Sequence, residues 1–67
     1  MNTPRTVTHT QHQPDYMKGW EAAQADLNGM SHAACVAKFN LDNPIGVQPS
    51  NLGAYYYASG YADRLNA

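Results

Sequence analysis

At 67 residues the chain has room for one small domain. A chain of this size buries only about 60% of the surface its unfolded form exposes, which leaves little interior for a deep substrate pocket with a rigid shell around it. The four cations (Arg5, Lys18, Lys38, Arg64) face five acids (Asp15, Glu21, Asp26, Asp42, Asp63), and only 13% of residues are charged. Phosphate neutralisation by Lys and Arg supplies most non-specific nucleic-acid affinity, so a DNA-wrapping role is not expected.

Cys35 is the sole cysteine, so no internal disulfide staples the fold. The start of the chain is polar and has no apolar core of the signal-peptide kind. The longest apolar run, Ala33 to Ala37, is far short of the roughly 20 residues that span a bilayer. These features lead us to expect a soluble, cytoplasmic protein with no membrane association.

In chain order, residues 1–13 hold Val7 as their one aliphatic side chain after Met1, among Thr, Gln and His. This composition predicts a flexible N-terminal arm. A helical repeat begins at Pro14. Tyr16, Trp20, Ala23 and Leu27 fall at i, i+4, i+7 and i+11, one face of a 3.6-residue period. Pro14 suits a first turn, and Gly29 suits a left-handed cap, so the first helix is expected over about 14–28.

Ser31 is a natural N-cap for a short second helix over about 31–39. Asn43-Pro44, Gly46 and Pro49 then break regular structure. Ser50 or Asn51 caps a third helix over about 51–66, whose inner face is expected at Ala54, Ala58, Tyr61, Ala62 and Leu65. No strand pattern is present. The expected fold is all-α, a small helical hairpin of two longer helices bridged by a short one, with residues 14–67 forming a single domain.

Tyr16-x-x-Gly19-Trp20 in the first helix is matched by Tyr57-x-x-Gly60-Tyr61 in the third. A glycine inside a helix costs up to about 1 kcal/mol relative to alanine. Two such glycines, each followed by a large ring, predict a close helix crossing at Gly19 and Gly60, covered by Trp20 and Tyr61.

Tyr55, Tyr56 and Tyr57 are consecutive, and successive side chains on a helix diverge by about 100°. The rings fan over more than one face, so at least one is expected on the surface. Tyrosine combines contact area with a hydroxyl at low entropic cost, which makes the three candidates for contact with a partner.

His9-x-x-His12 and His32-x-x-Cys35 form a possible zinc set of three imidazoles and a thiolate. The alternative is a solvated His-containing arm and a buried structural Cys35, and the spacing matches no finger or ribbon pattern. Cys35 with His32 lacks an orienting third group, and no phosphate-cradling loop is present, so neither an enzyme nor a cofactor is expected.

The series Gly19-Trp20 through Ala23, then Gly29, then Gly60-Tyr61 through Asp63 resembles the ribosome modulation factor family over roughly residues 16–65. That resemblance implies a helical hairpin that associates with the ribosome and represses translation. The chain departs from the family in its slightly acidic charge, in having no Cys-Pro pair, and in closing on Tyr61 rather than tryptophan.

Taken together, the leading expectation is a non-enzymatic helical binding protein acting on another protein, of the kind found as phage or mobile-element accessory proteins that inhibit host machinery. The alternative is a ribosome- or RNA-associated translation modulator. Homodimerisation through exposed aromatics fits either.

Overall fold

The computed structural model describes residues 3–67. Its helices are α1 (Gln13–Gly29), α2 (His32–Asp42) and α3 (Leu52–Leu65), with a single 3-10 turn over Thr10–His12 before α1. The described residues contain no strand, and the protein is all-α.

Local chemistry sets the helix ends. The hydroxyl of Ser31 accepts from the Ala34 amide at 3.1 Å, and Asn51 Oδ1 accepts from the Ala54 amide at 2.8 Å. Each cap satisfies one otherwise orphaned donor. Gly29 does not adopt the expected left-handed cap: α1 runs through it, and Met30 turns extended at φ −134° while its amide still bonds Asp26 O at 2.8 Å. α2 extends three residues beyond the expected 39. Pro44 stops it by excluding helical geometry from Asn43, which sits at φ −132° and ψ 69°.

α1 and α3 form the centre of the fold. A Cβ on Gly19 would lie 1.9 Å from Tyr57 O, and one on Gly60 would lie 1.9 Å from Tyr16 O. The two motifs thus meet reciprocally, each glycine seating the backbone of the other helix, which only a residue without Cβ allows. One feature of the expected hairpin differs. Asp15 lies beside Gly53, near the starts of α1 and α3, and Ala23 clusters with Leu65 near their ends. The long helices therefore cross in the same sense, because α2 and the segment after it are long enough to carry the chain back.

Two apolar clusters flank the crossing. One contains Val7, Tyr16, Trp20 and Tyr56; the other contains Ala23, Cys35, Tyr61 and Leu65, with Phe39 and Leu27 against it. The inner face of α3 is rotated from the expected one. Tyr56 and Gly60 are buried with Tyr61 and Leu65, while Ala54 is exposed and Ala58 and Ala62 are half-buried. Contact at Gly60 sets this rotation, since Tyr56 lies four residues earlier on the same stripe.

The expected flexible arm is also corrected over its described part, residues 3–13, which lies against the helices as a strap. Val7 is 2% exposed, and the Gln13 amide side chain accepts from Val7 N and donates to Arg5 O, both at 2.9 Å. Residues 1 and 2 of that arm lie outside the described residues.

Candidate functional site

Two matched polar clamps fix the surrounding segments to the helix pair. Tyr16 of α1 donates its hydroxyl to Asp63 Oδ2 of α3 at 2.7 Å, and Arg5 of the strap donates to the same oxygen at 2.8 Å. Tyr61 of α3 donates to Asp26 Oδ2 of α1 at 2.6 Å, and Lys38 of α2 reaches that oxygen at 2.7 Å. In each clamp a tyrosine bridges the long helices and a cation ties down a third segment.

The electrostatics follow. Burial alone would raise the Asp63 carboxyl, but hydrogen bonds from Arg5 and Tyr16 outweigh it and hold the group below its usual range. The bond from Lys38, then that from Tyr61, lowers Asp26. Burial, reinforced by the hydrogen bond to Asp26, pushes the Tyr61 phenol far above its ordinary value, and burial with the hydrogen bond to Asp63 raises Tyr16.

The three consecutive tyrosines are placed apart. Tyr56 is buried, with His12 stacked on its ring at 5.6 Å and its hydroxyl 2.7 Å from His9 Nδ1, so it belongs to the core under the strap. Tyr55 and Tyr57 are 48% and 43% exposed on different sides of α3. A single three-ring surface is thus not formed: Tyr56 is spent on the fold, and Tyr57 alone of the three lines the groove described below.

The residues of the possible zinc set do not converge. His9 and His12 sit at Tyr56, with His12 Nδ1 donating to Asp15 at 2.9 Å. His32 Nε2 donates to Leu65 O at 2.7 Å at the far end of α3, and Cys35 is fully buried beside Ala23. Among the described residues no three His, Cys, Asp or Glu side chains are grouped to hold a metal ion. Cys35 is not available as a nucleophile to any solute at the surface.

Apart from Tyr55 and Tyr57, the sequence did not single out the large hydrophobic residues that are left exposed. Among the described residues seven large hydrophobic side chains are exposed, and six of them (Leu41, Ile45, Val47, Leu52, Tyr55 and Tyr57) fall between residues 41 and 57. Pro44–Val47 forms a tight turn, closed by Val47 N to Pro44 O at 3.1 Å, with Gly46 at φ +85°. Positive φ at the third turn position is the type II geometry that glycine favours. The turn holds Ile45 at its corner, fully in solvent.

Between α2 and α3, beside this turn, is an open groove of about 500 Å³. Phe39, Tyr57 and Tyr61 line it together with Ala54 and Ala58, and Asp15, Lys38 and Asp42 supply its charged groups. A signal for the apolar turn was present in the sequence: Ile45 and Val47 sit among Asn, Pro and Gly, where no regular element can bury them.

No helix among the described residues is long and apolar enough to cross a membrane. No family model matches the chain, and comparisons with curated proteins and with solved structures found no match.

Proposed function

We propose that the chain is a non-enzymatic binding protein that acts on another protein through the apolar surface formed by the end of α2, the Pro44–Val47 turn and the start of α3. The observation that supports it most is the confinement of six exposed large hydrophobic residues to residues 41–57. Scattered exposed apolar residues need no explanation, but this concentration in one stretch of a small chain supports an interaction surface there. The geometry suits recognition better than catalysis. The groove is open, Cys35 is buried, and His9, His12 and His32 are each engaged within the fold. An accessory protein that inhibits or modulates its partner by covering a surface needs nothing more.

The test is capture of a partner from source-cell lysate by the tagged chain and by an Ile45→Asp, Val47→Asp variant, each with and without ribonuclease. Both positions are exposed, so the variant keeps its fold. One dominant protein, retained after ribonuclease and lost with the variant, supports the reading. Equal retention by the variant overturns it.

A second reading, a ribosome- or RNA-associated translation modulator, draws on the reciprocal seating of Gly19 and Gly60, the feature on which the resemblance to ribosome modulation factors turns. Against it, Arg5 and Lys38, half of the four cations, are committed to Asp63 and Asp26. This reading requires binding that weakens steeply with salt and disappears on ribonuclease treatment.

A further inference from the structure

We propose that the groove between α2 and α3 takes a short amphipathic helix of a partner protein, with its apolar side chains in the groove and its Lys or Arg residues against Asp15 and Asp42. The proposal rests on the binding-protein reading above and specifies the chemistry of the partner.

The groove has the form of a valley between two helices. Ala54, Tyr57, Ala58 and Tyr61 follow at i, i+3, i+4 and i+7 and so make one stripe along α3. Phe39 near the end of α2 and Asn43, the residue that follows the helix, line the facing side. The rings of Phe39 and Tyr61 stack at 5.7 Å and 14°, joining the two sides. Three small residues of α3, Gly53, Ala54 and Ala58, also line the groove. Small lining residues let another helix backbone come close, while the aromatic ones supply contact area, as in grooves that accept amphipathic helices.

Charge selects among occupants. The groove carries Asp15 and Asp42 against one cation, Lys38, whose ammonium is held by Asp26 at 2.7 Å. Asp15 shares an oxygen with His12, and the Asp42 carboxylate has no side-chain partner among the described residues. An acidic lining repels phosphate and attracts Lys and Arg. It also disfavours a second copy of this chain, because each of its helices has a single Lys or Arg, at 18, 38 and 64.

The test uses the full-length chain, isotope-labelled for NMR, and a panel of designed helical peptides of about fifteen residues, long enough to hold a turn-rich helix. Each has Leu, Phe or Trp anchors at i, i+3, i+4 and i+7; one set is flanked by Lys, and its counterpart by Glu. The expected result is binding of a Lys-flanked peptide at least about tenfold tighter than its Glu counterpart. Shift changes should centre on Phe39, Asp42, Ala54, Tyr57 and Ala58. Asp42→Lys should weaken the Lys-flanked peptide about fivefold and strengthen the Glu-flanked one, and Ala54→Gln, at an exposed helical position, should weaken both. Equal binding of the two sets, shifts centred on Tyr55 or the strap, or no binding by any peptide overturns the proposal. Loss of partner capture by the Ile45→Asp, Val47→Asp variant, with no peptide entering the groove, overturns this proposal alone. Peptide entry as described, with capture undiminished in that variant, overturns the wider surface and leaves the groove standing.

Discussion

Replacing Gly60 by alanine sets two effects of opposite sign against each other. In an isolated helix alanine is favoured over glycine by about 1 kcal/mol. Here the new Cβ would lie 1.9 Å from Tyr16 O and 3.0 Å from Trp20 N, both backbone atoms of α1. Restoring an ordinary contact requires the helices to separate by about 1.5 Å. A gap of even 0.5–1 Å forfeits a quarter to a half of each van der Waals contact across it, and Tyr16, Trp20, Tyr56 and Tyr61 all pack at this crossing. Overpacking costs about 1–3 kcal/mol and more where nothing can yield; with backbone against backbone the cost is about 3–4 kcal/mol, and the propensity gain of about 1 kcal/mol leaves a net destabilisation of about 2–3 kcal/mol. Total stability for such a chain is roughly 3–10 kcal/mol, and the melting temperature should fall by roughly 10–20 °C. Gly29→Ala is the control. No atom lies within 4 Å of its added Cβ, so only propensity acts, and stability should rise by about 0.5 kcal/mol. Thermal unfolding followed by far-UV circular dichroism reads both variants. A neutral or stabilising Gly60→Ala would refute the close crossing.

Further predictions follow from the clamps and the core. Asp63 is held below its unfolded range, so its contribution is present above about pH 4 and lost as pH falls through its folded pKa. Because the carboxylate is 37% exposed, that contribution is below about 1 kcal/mol. Denaturant midpoints of Asp63→Asn should therefore decline less than wild type below about pH 4, and parallel declines would count against the clamp. For Tyr16 and Tyr61 the sign is reversed: their raised folded pKa values favour the neutral phenol, with stability present below about pH 10 and lost on further rise. Above about pH 10 the Tyr61 phenol should resist ionisation in the folded protein, and its tyrosinate absorbance should appear together with unfolding. The Cys35 thiol, fully buried, should react with a disulfide reagent only at the rate of unfolding, whereas rapid modification of native protein would contradict its placement.

The helices were legible because their signals are local. Tyr16, Trp20 and Ala23 are spaced for one helical face, Ser31 and Asn51 are good caps, and Pro44 stops α2. The crossing was legible because glycine inside a helix is costly enough to need a reason. The strap was not, because what holds it is tertiary: Val7 in a pocket made by α1 and α3, Gln13 bonding back to Arg5 and Val7, and Arg5 reaching Asp63, 58 residues away. Periodicity also shows how the three tyrosines fan but not which one turns inward. Gly60 settles that, since Tyr56 shares its stripe and Tyr55 and Tyr57 do not. Apart from Tyr55 and Tyr57, the candidate surface was missed for a related reason. Its apolar residues lie partly in a turn, where no period marks them, and their exposure becomes visible only once α2 and α3 are placed.

Hydrogen exchange of the chain, free and bound to its captured partner, tests the central claim most directly. The account predicts added protection within residues 38–58, at the end of α2, the Pro44–Val47 turn and the start of α3, with the strap and the outer face of α1 unchanged. Protection centred on the strap or on α1, with residues 38–58 exchanging as in the free protein, would contradict it.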